Sequence, residues 1–364
     1  MKIYWASVRK ASDLCSTTTH ALLEGLVRLG HEVVFLSPEP FQDTVTWTNI
    51  TLQQSSVKGF HALSLATSAR KWLEEVEAHA NQCIIIDWPL APRLGPLLKK
   101  RGHRLVLMDR SPPADDSVLG LLQWRHWKKA WRLVEQEVFS DGFVVSDMHL
   151  QFSSEYCKRE KSIHILPAGV DTSLFSPKNR RINLDSPAFV YHGRLDKHRG
   201  VLALPMLIQR LRNIGKKATL TLIGEGNAMK QLNSIAREVE WLSVFPRMDR
   251  KRLAGILSEH DIGLLPMPES KVWKLASPLK RSEYLSSGLI VYGTDHPGHQ
   301  ISEGNRPYLK LVAQSNFHDE CESWIESLRH ENCDEINQMA RAYAVEQLSW
   351  DFTVDLLEKI LQKR

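Results

Sequence analysis

A chain of 364 residues with a formal net charge of +5 is too long for one ordinary core and suits two domains. The mild positive balance fits anionic small molecules or an acidic membrane surface, and short basic runs such as Lys99-Lys100-Arg101 fall short of the dense stripe that nucleic-acid binding needs. Five scattered cysteines without a CxxC (Cys15, Cys83, Cys157, Cys321, Cys333) read as reduced thiols of a cytoplasmic protein; no signal peptide is expected, and no apolar run approaches the ~20 residues of a membrane span.

Strands and helices alternate almost throughout. Residues 2–7 read as a strand, 17–29 as an amphipathic helix stopped by Gly30, and 32–36 as a second strand. A helix over 66–78 precedes a short buried strand at 83–87, Cys-Ile-Ile-Ile-Asp, and further strands follow at 105–108 and 142–145. The pattern restarts with strand 188–191, helix 201–214, strand 218–223 and helix 227–238. More strands follow at 242–245, 262–265 and 289–292, and a final helix spans 351–362. Near-continuous apolar strands separated by helices predict parallel sheets covered on both faces. The expected fold is therefore α/β, with two Rossmann-like doubly wound domains. The domains are placed at 1–167 and 185–349, with a linker at 168–184 and helix 350–364 free to pack back on the first. Doubly wound domains bind ligands at the carboxyl ends of their strands, so a site is expected where the two face each other across a cleft.

Three segments carry candidate chemistry. In Tyr191-His192-Gly193-Arg194-Leu195-Asp196-Lys197-His198-Arg199-Gly200 a strand ends and a basic loop follows. Guanidinium groups there suit bidentate contact with phosphate; the alternative is a solvated basic loop. Gly224-Glu225-Gly226 closes a strand, but Met229 breaks the full dinucleotide fingerprint, so a plain tight turn competes with a close approach to a nucleotide. Ser277 reads as a helix N-cap with Pro278 at the first helical position. Glu283 lies further into that helix, where a carboxylate can take two ribose hydroxyls; an ordinary capped helix with a surface glutamate is the alternative.

The order of these segments resembles that of a large family. Pro167-Ala168-Gly169-Val170-Asp171, His192-Gly193-Arg194 with Arg199-Gly200-Val201, Leu222-Ile223-Gly224-Glu225-Gly226, Asp261 to Pro266, and Ser277-Pro278-Leu279-Lys280 with Glu283-Tyr284-Leu285 follow one another. The first half adds Leu29-Gly30-His31-Glu32-Val33, and the end adds Trp350-Asp351-Phe352. The chain is similar over nearly its whole length to the retaining GT-B glycosyltransferases of family 4. The resemblance implies a nucleoside-diphosphate sugar (UDP- or GDP-) as co-substrate and a sugar, glycan or lipid-linked acceptor. It implies no cofactor, no metal and no nucleic acid. Arg194 matches the arginine on the donor diphosphate, and Arg199 stands where lysine is usual. Gly193, Gly224 and Gly226 belong to the donor side. Ser277, Pro278 and Leu279 match the loop whose backbone meets the phosphates, and Glu283 matches the ribose-binding glutamate. Arg247 and Met248 lie in the stretch 245–248, where the base is cradled.

Three departures accompany the match. Leu275 replaces the glutamate expected eight residues before Glu283. The glycine pair after the first strand is replaced by the loop 8–16, in which Ser12 is an acceptor-side candidate together with His20 on the first helix. In place of a histidine after the fourth strand stand Asp109 and Arg110, further acceptor-side candidates for which an internal ion pair is the alternative. The implied reaction is transfer with retention, in which Arg194 and Arg199 stabilise the departing diphosphate. No Asp-x-Asp pair offers a metal site, and Asp115-Asp116 reads as a helix start. The rival readings are a nucleotide-sugar epimerase or hydrolase, a two-lobed binding module, and a nucleotide-binding relative without transfer.

Two further patterns fall outside that match. In 121–132, Trp124, Trp127 and Trp131 share one helical face amid Arg125, Lys128, Lys129 and Arg132. This suits peripheral contact with an anionic membrane face or, alternatively, a core-facing stripe. His296-Pro297-Gly298-His299 lacks a third ligand at metal spacing and reads as a surface loop.

Overall fold

The structure is a computed structural model describing every residue except 14–15, 42–44, 58, 114–117, 179–181, 302–305, 329 and 364. Cys15 and the Asp115-Asp116 pair lie outside the described residues. The chain divides into two compact units, Met1–Pro167 with Trp350–Arg364, and Ala168–Ser349.

The first unit runs β1 (Lys2–Ala6), α1 (Ser16–Arg28), β2 (Glu32–Ser37), β3 (Thr48–Thr51), α2 (His61–Leu73), β4 (Gln82–Asp87), α3 (Ala91–Lys100), β5 (Leu105–Met108), α4 (Val118–Glu135), β6 (Asp141–Val144), α5 (Asp147–Ser154) and β7 (Ile163–Ile165). Its strands form one sheet in the order β3-β2-β1-β4-β5-β6-β7, every pair parallel. β4 is buried along its whole length, as a strand covered by helices on both faces must be. Helix α1 stops before Gly30, whose φ of 84° suits a left-handed C-terminal residue.

The second unit runs β8 (Ala188–Arg194), α6 (Ala203–Asn213), β9 (Thr219–Glu225), α7 (Met229–Glu238), β10 (Leu242–Phe245), α8 (Arg250–Leu257), β11 (Ile262–Leu265), α9 (Lys271–Lys274), α10 (Leu279–Ser286), β12 (Ile290–Thr294), β13 (Leu309–Val312), α11 (Phe317–Ser327) and α12 (His330–Gln347). Its sheet order is β10-β9-β8-β11-β12-β13, again all parallel. Strand order reverses between β1 and β4 in one sheet and between β8 and β11 in the other. A doubly wound sheet opens a crevice at that reversal, at the carboxyl ends of the strands.

The last helix, α13 (Trp350–Gln362), belongs to the first unit. A Cβ on Gly25 of α1 would lie 2.3 Å from Val354 Cγ2, so the missing side chain lets the two helices touch. Arg104 donates to the carbonyls of Ile360 at 2.9 Å and Leu361 at 2.6 Å, fixing the helix end. The 168–184 segment is not a free linker but part of the second unit. Val170, Phe175, Ile182 and Leu184 are buried in its core, and Val170 N donates to Leu348 O at 2.7 Å.

Candidate functional site at the strand reversal of the second unit

β8 ends in Gly193-Arg194 beside Gly224-Glu225 of β9. Gly224 has φ 148°, and a Cβ there would lie 1.7 Å from Gly193 O; a Cβ on Gly226 would lie 2.3 Å from Leu195 O. These two glycines were expected to let a nucleotide approach. The space they leave is filled by the neighbouring loop, so their structural work is to let the ends of β8 and β9 close on each other.

The same reasoning gives Gly193 a different task. With φ 114°, it stands where a Cβ would meet Lys280 Cε at 2.8 Å and Nζ at 3.0 Å. Lys280 lies in the first turn of α10, and its ammonium stands 5.3 Å from the Tyr191 ring centroid. The side chain is half-buried, its ammonium lying between Gly193 and the Tyr191 ring. Burial pushes its pKa down to about 8, with the nearby positive charge of Arg199 adding to the fall and Glu283 opposing it.

One turn further along α10 lies Glu283, 4 % exposed. Its Oε1 is 3.2 Å from Arg250 Nη1, and its Oε2 is 3.2 Å from His192 Nε2, outside hydrogen-bond geometry. Arg250 opens α8, whose N-cap Asp249 accepts from Arg252 N. Arg247 and Met248 precede it on the same loop, Arg247 exposed and Met248 packed on the core. Thus α10, the end of β8 and the start of α8 bring a lysine, a glutamate, an arginine and a histidine together. Lys280 sits within the recognised Ser-Pro-Leu-Lys segment but had no role assigned. His192 likewise lies in a recognised segment without an assigned role, and Arg250 was missed, since nothing local marks it as a site residue.

Arg194 and Arg199 occupy different surroundings. The Arg194 side chain, 43 % exposed, forks onto Asp196 at 3.0 and 3.1 Å. This bond holds the Asp196 carboxyl below its usual range, and Asp196 also accepts from Asn227 N at 3.0 Å. Arg199 follows on a short 3-10 turn. Its guanidinium lies 5.4 Å from the Trp273 ring centroid, with Nη1 3.5 Å from Met267 Sδ and Nε 4.0 Å from Asp196 Oδ2. Ser277 is not the N-cap of α10. Pro278 holds that position without a side-chain cap, and Ser277 Oγ accepts from Ala168 N at 3.2 Å. Leu279 opens the helix.

The acceptor-side candidates of the first unit have mostly structural partners. Asp109 is 0 % exposed, so it does not face solvent. Its Oδ2 accepts from Trp127 Nε1 at 2.6 Å and Trp131 Nε1 at 3.0 Å and lies 3.0 Å from His149 Nε2. That bond set turns the tryptophan stripe of α4 inward. Trp127 and Trp131 are fully buried and Trp124 partly so, so the stripe is not a membrane face; among its described side chains α4 exposes Leu121, Leu122, Gln123, Arg125, Lys129, Arg132 and Glu135. Arg110 donates to Leu166 O. His20 sits between Phe41 and Trp47, with ring centroids 5.2 and 5.1 Å away. Ser12 is exposed and bonded to Glu39 through both its N and Oγ, at 3.1 and 2.9 Å. Asp87, not expected, lies at the reversal between β1 and β4. It accepts from Trp5 Nε1, Ser7 Oγ and Val8 N, and burial raises its pKa.

The His296–His299 turn is not a surface loop: the two residues are 2 % and 0 % exposed. Among the described residues no group of three or more His, Cys, Asp or Glu is placed to hold a metal ion, and no helix is long and apolar enough to cross a membrane. Cys83, Cys157, Cys321 and Cys333 are buried and in no disulfide.

No protein-family model matches the chain, and no curated protein matches it by sequence. Solved structures do resemble it. A sucrose-phosphate synthase from Thermosynechococcus elongatus is 14% identical over 99% of this chain and 98% of its own, with a TM-score of 0.76. WaaG, a glycosyltransferase involved in lipopolysaccharide biosynthesis, is 13% identical over 100% of both chains, with a TM-score of 0.71. Anabaena Alr3699/HepE, solved in complex with UDP, is 13% identical over 99% of both chains, also at 0.71; it is also solved with UDP and glucose. The fold is that of the GT-B glycosyltransferases. At these identities the likeness is one of fold, and function has to be argued from the side chains.

Proposed function

We propose that this chain is a retaining glycosyltransferase that takes its sugar from a nucleoside-diphosphate sugar without a metal ion and passes it to a sugar, glycan or lipid-linked acceptor. The observation that carries the reading is the placement of Lys280, Arg199 and Glu283 around the carboxyl end of β8, where a doubly wound sheet receives its ligand. Lys280 and Arg199 supply two positive charges to the diphosphate, one of them enclosed, where a charged contact is strongest. Arg194 adds a third by exchanging part of its bond to Asp196 for phosphate. Glu283, held by Arg250, accepts from the two vicinal hydroxyls of the ribose. Arg247 and Met248 then flank the base.

In the reaction the bond between the anomeric carbon and the diphosphate oxygen breaks and negative charge grows on that oxygen, while an acceptor hydroxyl oxygen bonds to the anomeric carbon on the same face and its proton passes to the departing diphosphate. Fixed cations aimed at it stabilise the transition state more than the ground state. They do the work that a metal ion does in other enzymes, so none is required. The UDP complexes of HepE support UDP as the first nucleotide to try, with GDP as the alternative base.

The test is calorimetric titration with UDP, GDP and ADP, followed by NMR of the anomeric proton when a sugar conjugate and acceptor are added. Micromolar binding of one nucleoside diphosphate and a product with the donor's anomeric configuration are expected. Absence of nucleotide binding, or an inverted product, refutes the proposal.

A further inference from the structure

The sheet of the first unit reverses between β1 and β4, the place where a doubly wound sheet opens a crevice at the carboxyl ends of its strands. Three loops are tied together there. Residues 7–9 follow β1, Trp88 follows β4, and residues 109–111 follow β5. Ser111 joins all three: its Oγ accepts from Arg9 Nη2 at 3.0 Å, and its carbonyl accepts from Trp88 Nε1 at 2.9 Å. Asp87 anchors the loop after β1 by accepting from Ser7 Oγ and Val8 N. Trp88 N donates to Met108 O at 3.0 Å. The arginine and the indole are therefore held in place by the ends of three strands.

What these groups leave unused says what kind of ligand they fit. Arg9, Trp88 and Ser111 are each half-buried, so each keeps an accessible part. Among the described residues the Arg9 guanidinium makes one hydrogen bond, to Ser111, and most of its N–H donors are left over. The neighbouring carboxylates do not take them. Asp87 is buried and accepts from three other donors; the Arg9 charge lowers its pKa against the effect of burial without a bond between the two. Asp13 accepts from Lys10 N at 2.9 Å, and Glu39 accepts from Ser12 N and Oγ at 3.1 and 2.9 Å. Trp88 packs part of its indole on the apolar core, and the bond from its Nε1 fixes the ring. An accessible indole beside a polar fork suits a sugar, whose C–H face covers the ring while its edge meets the polar group. A guanidinium adds a demand of its own: its planar fork matches two oxygens of a carboxylate or phosphate and binds them more strongly than a hydroxyl.

We propose that Arg9 and Trp88, aligned by Ser111, form a subsite for an acceptor sugar that carries an anionic group, phosphate or carboxylate. The acceptor role rests on the donor-site reading above, which places the nucleotide sugar on the second unit. The test is calorimetry on the full chain in saturating UDP, which keeps sugar phosphates off the diphosphate cations. The probes are glucose, galactose and mannose, each beside its 6-phosphate and its uronate, with inorganic phosphate as the bare anion. We expect an anionic sugar to bind on the order of tenfold more tightly than its neutral partner and than inorganic phosphate, the effect of one charge-assisted contact. Whether the phosphate or the uronate responds identifies the substituent. Arg9→Met should abolish that preference and leave UDP affinity within about threefold, and Arg9→Lys should keep part of it. Equal affinity for neutral and anionic sugars overturns the subsite, as does a preference that survives in Arg9→Met. Inorganic phosphate binding as tightly as the sugar phosphate removes the indole from it, and no binding by any anionic probe removes the subsite altogether. If wild type keeps the preference but binds no nucleoside diphosphate, the donor-site reading falls and takes the acceptor role with it, while the anionic-sugar site stands. Should Arg9→Met fail to fold, the Nε1–H NMR signal of wild-type Trp88 decides. A larger shift with the anionic sugar than with its neutral partner supports the subsite, and equal or absent shifts remove it.

Discussion

Binding of the diphosphate should weaken as pH rises through about 8, and Lys280 should be the cause. Its folded-state pKa lies near 8 against an ordinary value of 10.5. The sign follows directly. Between those two values the unfolded chain holds a proton that the ligand-free folded chain has lost, so this group makes the folded state more stable as pH rises across that window. A ligand that needs the protonated ammonium works the other way: its affinity is full below pH 8 and falls by up to about tenfold per unit above it. Binding at pH 8–9 should therefore take up a proton, visible as a dependence of the calorimetric enthalpy on the buffer's ionisation enthalpy. Lys280→Met keeps the stem beside Tyr191 and removes the charge. Losing one charge-assisted hydrogen bond, ~1.5–3 kcal/mol, weakens binding on the order of 10- to 100-fold at pH 7. The variant should then show a flat profile from pH 7 to 9 after correction for the nucleotide's own titration. A wild-type slope that survives in Lys280→Met refutes the reasoning, because some other group must carry it.

Three other substitutions separate binding, chemistry and stability. Glu283→Ala should weaken free UDP by at least about tenfold through loss of the ribose contacts, measured by calorimetry; wild-type affinity would remove the ribose role. Arg194→Ala, at a side chain 43 % exposed, should fold normally and lower kcat by on the order of 10²- to 10³-fold. Turnover near that of wild type would show that Arg194 stays with Asp196 throughout. Asp109→Ala strips two indoles and an imidazole of a shared buried partner, with an expected cost of ~3–5 kcal/mol. At ~2–4 °C per kcal/mol for a unit of this size, thermal unfolding should begin roughly 10 °C lower. An unchanged melting curve would mean that the Asp109 bonds are dispensable.

How much of this was legible in the sequence depends on how far apart the partners lie along the chain. The buried strands were readable because a strand covered on both faces is apolar throughout; β4 is the plainest case. β3, Thr-Asn-Ile-Thr at a sheet edge, was missed because an edge strand has no such run. α3 was missed because Gly95 and Pro96 inside it argue against a helix, although Pro92 in its first turn does not, and its buried face, packed on α4, α2, β4 and β5, overrules them. Glu283 was readable from the run of residues around it. Lys280 was not, since a lysine in a first helical turn reads as solvated. Room for its buried end is left by the side chain absent from Gly193, on a strand far earlier in the chain, and burial there, with Arg199 nearby, lowers its pKa. The tryptophan stripe on α4 was readable as a stripe but not as to its direction, which Asp109 of another segment decides. His296 follows the same rule: a His-Pro-Gly-His turn reads as surface until the backbone of Trp273 is packed over it. In each of these three cases local pattern identified the residue, and a contact made by a distant segment set its protonation, exposure or direction. Functional reading at this site therefore has to start from pairs such as Gly193 with Lys280 and Gly298 with Trp273, where one residue's missing atoms create the other's environment.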